Sequence, residues 1–266
     1  MRGNYLAVLV MVASSVSSAA EPDLREIALN SVKDYVVERP GSTDVEFVRV
    51  EQPIIRFTTS GIDEADIFLW TQQGRPALVG QVFRLKNVEG GLWLHEFQSL
   101  SDGPVTLRRG DQALWSPKTE GVTWRTLKTD LVPSDSARVR LTQFKQLARD
   151  FTGAEQTPGV GNGDELKNFR LTLKPKEAYR YQSKADDVLD GIVFWFTQEE
   201  NTDPELLLLI EAVSHGKEIS WQYTLGRLTC WPMQIDYKGV RVADLPNMLN
   251  KSIKSEPYHI WRPAIP

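Results

Sequence analysis

The spacing of apolar positions along the chain changes from helical to strand-like twice. Leu24, Ile27, Ala28, Val32 and Tyr35 recur every three or four residues behind Asp23, a helix-capping side chain, and Pro40-Gly41 stops the pattern. Strand-like runs follow at 45–50, 54–58, 66–71, 77–85, 92–100 and 105–107, the last continuing through Gly110 to Trp115. The clusters Gly74-Arg75-Pro76, Glu89-Gly90-Gly91 and Asp102-Gly103-Pro104 separate them, as in an antiparallel meander. Residues 116–136 are rich in Pro, Thr and Ser and read as a linker. A second helical stripe, Leu141, Phe144, Leu147, Ala148 and Phe151, leads into the glycine-rich stretch 157–163. Strand-like runs then resume at 169–173, 179–182, 192–198, 206–213, 219–227 and 233–242.

The two halves share this order, and their residues agree. Ile55-Arg56-Phe57 matches Tyr179-Arg180-Tyr181, Ile67–Gln72 resembles Val193–Gln198, and Pro76 matches Pro204. Trp93–Phe97 aligns with Ile219–Tyr223, which makes Trp221 the counterpart of His95, and Asp63 and Asp66 align with Asp187 and Asp190. This self-similarity predicts an internal duplication with a repeat of about 125 residues. The expected fold is α+β: two tandem related lobes, each a helix packed on a curved antiparallel β-meander. They span 21–115 and 137–245, with the linker at 116–136 and a C-terminal tail at 246–266. A single mixed sheet shared by both halves is the alternative.

The N-terminus alters the count of folded residues. Arg2 precedes an apolar run from Leu6 to Ala13, and small residues continue to Ala20 before Glu21-Pro22. This is the pattern of a secretory signal peptide over residues 1–20, cleaved after Ala20. The run is too short to span a membrane, which takes about 20 apolar residues. The expected location is therefore extracytoplasmic, periplasmic or secreted. The composition is that of an ordinary globular protein, 41% hydrophobic and 25% charged, with a net charge of −4. That balance gives no general reason to bind nucleic acid. The single cysteine, Cys230, cannot close an internal disulfide, and a chain of this length can build a core without one.

Motifs with recognisable chemistry are few. His95-Glu96 opens like a zinc-protease motif but lacks the second histidine one helical turn on, and it sits in a strand-like run. The alternation with Trp93 and Phe97 makes His95 a packing residue. Gly159-Val160-Gly161-Asn162-Gly163 lacks the Lys-Ser/Thr ending of a phosphate loop. Asp63, Asp66, Asp187 and Asp190 precede the central strands, while Glu199, Glu200, Asp203 and Glu205 follow the second one. Such oxygen donors are weak candidates for calcium, with solvated turns as the simpler reading. Of eight tryptophans, Trp115, Trp124, Trp231 and Trp261 lie at strand ends or in loops and are the candidates for a binding surface. No cofactor is expected.

The runs Phe68–Pro76, His95–Ser101 and Asp203–Ala212, together with Tyr179-Arg180-Tyr181, resemble a family of predicted secreted proteins from planctomycete-type bacteria. The resemblance covers most of the chain from Pro53 to Val242. It implies an exported bacterial protein and brings no activity or catalytic residue with it. The leading functional expectation is a non-enzymatic exported binding or interaction protein, with a cleft between the halves as its site and a cell-envelope protein or glycan as partner. The alternatives are a hydrolase using paired carboxylates on an extracytoplasmic saccharide, and a structural component of the cell envelope.

Overall fold

A computed structural model describes residues 23–42, 45–158, 166–199, 201–216, 218–249 and 254–263; the proposed signal peptide and the glycine run at 159–163 lie outside them. Helix α1 (Leu24–Ser31) starts at Asp23, whose carboxylate accepts from the Arg25 amide at 2.9 Å. Then come β1 (Tyr35–Glu38), β2 (Phe47–Arg49), β3 (Ile55–Thr59), β4 (Ile62–Gln72), β5 (Arg75–Leu85), β6 (Leu92–Ser99), β7 (Thr106–Arg109) and β8 (Gln112–Trp115). The short β9 (Arg125–Thr126) precedes α2 (Ala137–Arg149). The second half continues with β10 (Phe151–Pro158), β11 (Leu166–Leu173), β12 (Tyr179–Ser183), β13 (Val188–Gln198), β14 (Pro204–His215), β15 (Glu218–Arg227), β16 (Met233–Tyr237) and β17 (Val240–Leu245), and β18 (Tyr258–Trp261) ends the series.

The expectation of an α+β protein with two lobes, each a helix on its own meander, does not hold. The molecule is mostly β, with two helices among the described residues, and its strands form large curled antiparallel sheets. The reason lies in β4, β5, β13 and β14. A meander with one face in water alternates apolar and polar residues, whereas these strands are apolar at nearly every position and bury both faces. Successive side chains go to different cores. Phe68, Trp70, Leu78 and Val82 point towards α1, where they meet Ala28 and Val32. Their neighbours Ile67, Leu69, Val79 and Phe83 point the other way, onto Val193, Leu207 and Leu209 of the second half. The opposite parity of that half, Phe194, Phe196, Leu206 and Leu208, closes on Phe144, Leu147 and Ala148 of α2. Two curled sheets therefore stack back to back over a shared core. Each buried Leu or Phe in that core adds roughly 1.5–3 kcal/mol of apolar burial.

The intervening segments belong to the fold. Residues 116–136, read from sequence as a linker, bury Val122 and Leu127 and supply β9 to the edge of the second sheet. There the Arg125 guanidinium donates to the Val242 carbonyl, so the edges of the curl, β9 and β17, meet around α2. Gly121 crosses β6 so closely that a Cβ there would lie 2.2 Å from the Ser99 carbonyl oxygen. The C-terminal segment adds β18 to β6 in antiparallel register.

The strand pairing of the first half recurs in the second. The pairs β1·β7, β2·β4, β3·β4, β4·β5, β5·β6 and β7·β8 become β10·β16, β11·β13, β12·β13, β13·β14, β14·β15 and β16·β17. Register irregularities fall at corresponding places, Trp70/Thr71 with Phe196/Thr197 and Ile62/Glu64 with Val188/Asp190. Phe68 faces Gly80 as Phe194 faces Leu208, and Gly80 faces Phe97 as Leu208 faces Leu225. On this register His95 corresponds to Tyr223, and Trp221 to Trp93, which shifts the sequence alignment by two residues. The same correction makes Glu64, not Asp66, the counterpart of Asp190.

The halves pack head to tail. The β4–β5 turn abuts β12, where Gly74 (φ +89°) leaves no room for a Cβ against the Gln182 carbonyl. The β3–β4 turn abuts the β13–β14 turn, where the Thr59 hydroxyl donates to Asn201 Oδ1 at 2.6 Å and the Thr202 hydroxyl donates to the Thr58 carbonyl. These two junctions are counterparts of each other, and each holds a polar cavity.

Candidate functional site

At the first junction, Arg39, Gln72, Arg75, Asp102, Trp124 and Asp186 surround a cavity of about 190 Å³. Its central charge is already neutralised. Arg75 reaches across to Glu211 on β14 with two 2.8 Å hydrogen bonds and lies over the Trp124 ring at 4.3 Å. Tyr181 and Gln222 donate to the same carboxylate at 2.8 and 2.6 Å. Glu211 is thus fully buried with every oxygen engaged, the condition under which a buried ion pair is tolerated.

The second junction is larger, about 440 Å³, and differs in chemistry. Gln81 on β5 and Glu96 on β6 stand directly opposite each other on the face that looks towards the second sheet. Asp203 and Glu205 enter from the start of β14, and Phe83, Leu228 and Trp231 form apolar wall. Behind Gln198, which donates to it at 2.7 Å, lies the fully buried Glu155. Burial raises the Glu96 carboxyl to about 8, aided by the charge of Asp203. Burial and then Glu155 raise Asp203 to about 7, and burial with the neighbouring acids holds Glu205 well above the carboxylate range. The cation acting on Glu96 and Glu155 is Arg227. Its guanidinium is spent on the backbone carbonyls of Thr229, Pro246 and Trp231 at 2.8, 2.9 and 2.6 Å. Gln81 Oε1 and Asp203 Oδ1 have no hydrogen-bond partner among the described residues, while the Tyr258 hydroxyl acts on the Glu96 carboxyl. Gln81 and Glu96 are 3% and 7% exposed, so water in bulk does not serve them.

The residues singled out from sequence are distributed differently. Trp115 is not at the surface: it is 1% exposed, stacks between Phe97 and His259, and donates to the Glu256 carbonyl at 2.7 Å. Trp261 donates to the Tyr35 hydroxyl at 2.8 Å and packs on the first core. Trp124 lines the first cavity and Trp231 the second. The four aspartates do not converge. Asp63 pairs with Arg84, Asp66 with Arg56, and Asp190 with Arg140 and Arg180, while Asp187 occupies a left-handed turn position. Among the described residues no group of three or more His, Cys, Asp or Glu is gathered tightly enough to hold a metal ion. His95 is a packing residue hydrogen-bonded through Nδ1 to the Tyr35 hydroxyl at 2.7 Å, and burial lowers the pKa of its imidazole to about 3. The Cys230 thiol is pushed up to about 12 by burial, which leaves it a poor nucleophile.

Asp203 and Glu205 stand out in the sequence only as part of an acidic run, and Glu96 only within a failed zinc motif. Gln81 and Glu155 carry no sequence signal beyond being polar residues inside strand-like stretches. No helix among the described residues is long and apolar enough to cross a membrane. Comparison with known proteins finds no matching family model, no matching curated protein and no matching solved structure.

Proposed function

We propose that this is an exported binding protein, built on an internally duplicated β fold, whose ligand seat is the acidic cavity at the second junction. The observation that carries the reading is the 440 Å³ space lined by Gln81, Glu96, Asp203 and Glu205, at whose wall buried oxygens of Gln81 and Asp203 are left without partners. Such groups are stabilised by a ligand that completes their hydrogen bonds. Binding is favoured over nucleophilic catalysis because the one thiol at the site is held protonated and the imidazole of His95 belongs to a separate apolar core. Trp231 on the wall provides a reporter. Thermal melting and Trp231 emission are to be followed with millimolar diamines, sugars and calcium chloride. At least one class should raise the melting temperature and change the emission, and the emission change should vanish in Trp231→Phe. If every solute leaves both signals unchanged, the reading fails.

One observation favours a second reading. Glu96 is held protonated beside Asp203, the arrangement that general-acid hydrolysis of glycosides uses. Hydrolysis of aryl glycosides that disappears in Glu96→Gln would support it, and no turnover across the pH range would end it. Export itself is tested by sequencing the N-terminus of the native protein, which should begin at Glu21.

A further inference from the structure

We propose that the acidic cavity takes an organic cation, an ammonium or guanidinium group carried on an apolar body. This rests on the binding reading above and names the ligand's chemistry.

The argument comes from comparing the two junctions in register. Pro76 and Pro204 occupy the same place at the head of β5 and β14, so Arg75 corresponds to Asp203. β1 pairs with β7 through Val37 and Leu107, as β10 pairs with β16 through Gly153 and Ile235, so Arg39 corresponds to Glu155. Each of these contacts the glutamine at the equivalent position: Arg39 donates to Gln72 at 3.0 Å, and Glu155 accepts from Gln198 at 2.7 Å. The two cavities are thus built on one plan with the charges exchanged.

What differs is the partner from the facing half. In the first cavity Arg75 meets Glu211, and the pair neutralises its own charge. The register equivalent of Glu211 on β5 is Phe83, and Phe83 lines the second cavity. The cation that would complete the exchanged pair is replaced by a phenyl ring, and the cavity is more than twice as large. The cavity offers a cation carboxyl oxygens and an aromatic wall in Phe83 and Trp231, as Glu211 and the Trp124 ring offer Arg75, and adds a carboxamide in Gln81. The carboxyl groups are too dispersed for a bare metal ion, but they suit a ligand that spans several of them.

The titratable and charged groups around the site are Glu96 on β6, Asp203 and Glu205 at the start of β14, Glu155 on β10, Arg227 and Cys230 at the end of β15, and Tyr258 on β18. Without a cation the carboxyls retain protons near neutrality. An entering ammonium favours the ionised form, so binding releases a proton to the buffer and tightens as the pH rises.

The test is isothermal titration calorimetry of the full mature chain with agmatine and 1,5-diaminopentane. Neutral 1,5-pentanediol, glucose and calcium chloride serve as comparison probes, in buffers of differing ionisation enthalpy. An amine should bind with proton release at about pH 7 and at least about tenfold more weakly at about pH 5. Glu205→Gln and Asp203→Asn should each weaken it by about tenfold or more, with Asp102→Asn in the first cavity unchanged. Should the acidic-site variants fail to fold, the amine-to-diol comparison and the pH dependence on the unaltered protein decide alone. Equal binding of diol and diamine, or binding of glucose or calcium without the amines, overturns the cation while leaving the binding reading standing. No binding by any probe overturns both.

Discussion

Replacing Glu96 by glutamine should stabilise the protein by an amount that grows as the pH rises from about 5 to about 8. The glutamine reproduces the shape and polarity of the protonated acid and cannot ionise. In the folded chain burial raises this carboxyl from 4.5 to about 8, with the Asp203 charge adding to the effect. The folded state therefore holds the proton more tightly than the unfolded chain. Stability is greatest below the unfolded value and falls as the pH rises towards the folded value, then stays low. At about 1.4 kcal/mol per pH unit, such a displacement corresponds to a penalty on the order of 3–5 kcal/mol when Glu96 is ionised. Glu96→Gln removes that penalty. At about pH 5 the variant should lie close to the unaltered protein, and at about pH 8.5 it should exceed it by on the order of 3 kcal/mol. For a chain of this size that is roughly 6–12 °C in melting temperature. Urea unfolding followed by circular dichroism at the two pH values measures the difference. Equal destabilisation at both values, or a parent stability that climbs across the interval, would refute the reasoning by showing that Glu96 is held as a satisfied carboxylate.

Three further outcomes follow from the packing. Arg75→Ala strands the buried Glu211 charge and should cost about 3–5 kcal/mol in urea unfolding, much of it recovered when Glu211→Gln is added. Leu209→Ala in the shared core should cost about 2–5 kcal/mol, and calorimetry should show one transition for the parent and for the variant, because the halves share that core; two separable transitions would contradict it. Cys230 should react with a thiol reagent orders of magnitude more slowly in the native protein than in denaturant, and equal rates would show that the thiol is open to solvent.

Much of the strand order was legible along the chain. The two helices, the runs that become β3 to β6 and β12 to β15, and the turn clusters between them follow from local periodicity and turn chemistry, whereas Tyr35 and Phe151, read as the ends of the helical stripes, open β1 and β10, strands the periodicity did not reveal. The likeness of the halves was also visible, although its register was two residues off at Trp93 and Trp221. The lobed arrangement was misread because a continuous apolar run states that both faces are buried without stating what buries them. For β4 and β14 the answer is one face on a helix of the same half and one face on the other half.

The candidate site shows the same division. Ion pairs within a hairpin, such as Arg56 with Glu64 and Arg180 with Asp190, join residues close in sequence. Gln81, Glu96, Glu155, Asp203 and Glu205 come from both halves and are drawn into one cluster by the stacking of two sheets. Local sequence decides whether a segment forms a strand and which residues share a face, since that depends on backbone geometry over a few residues. It does not decide which distant face lies opposite. That is settled by the burial of the whole apolar surface, and with it whether an acid meets an arginine, as Glu211 does, or lines an open space beside a phenyl ring, as Asp203 and Glu205 do.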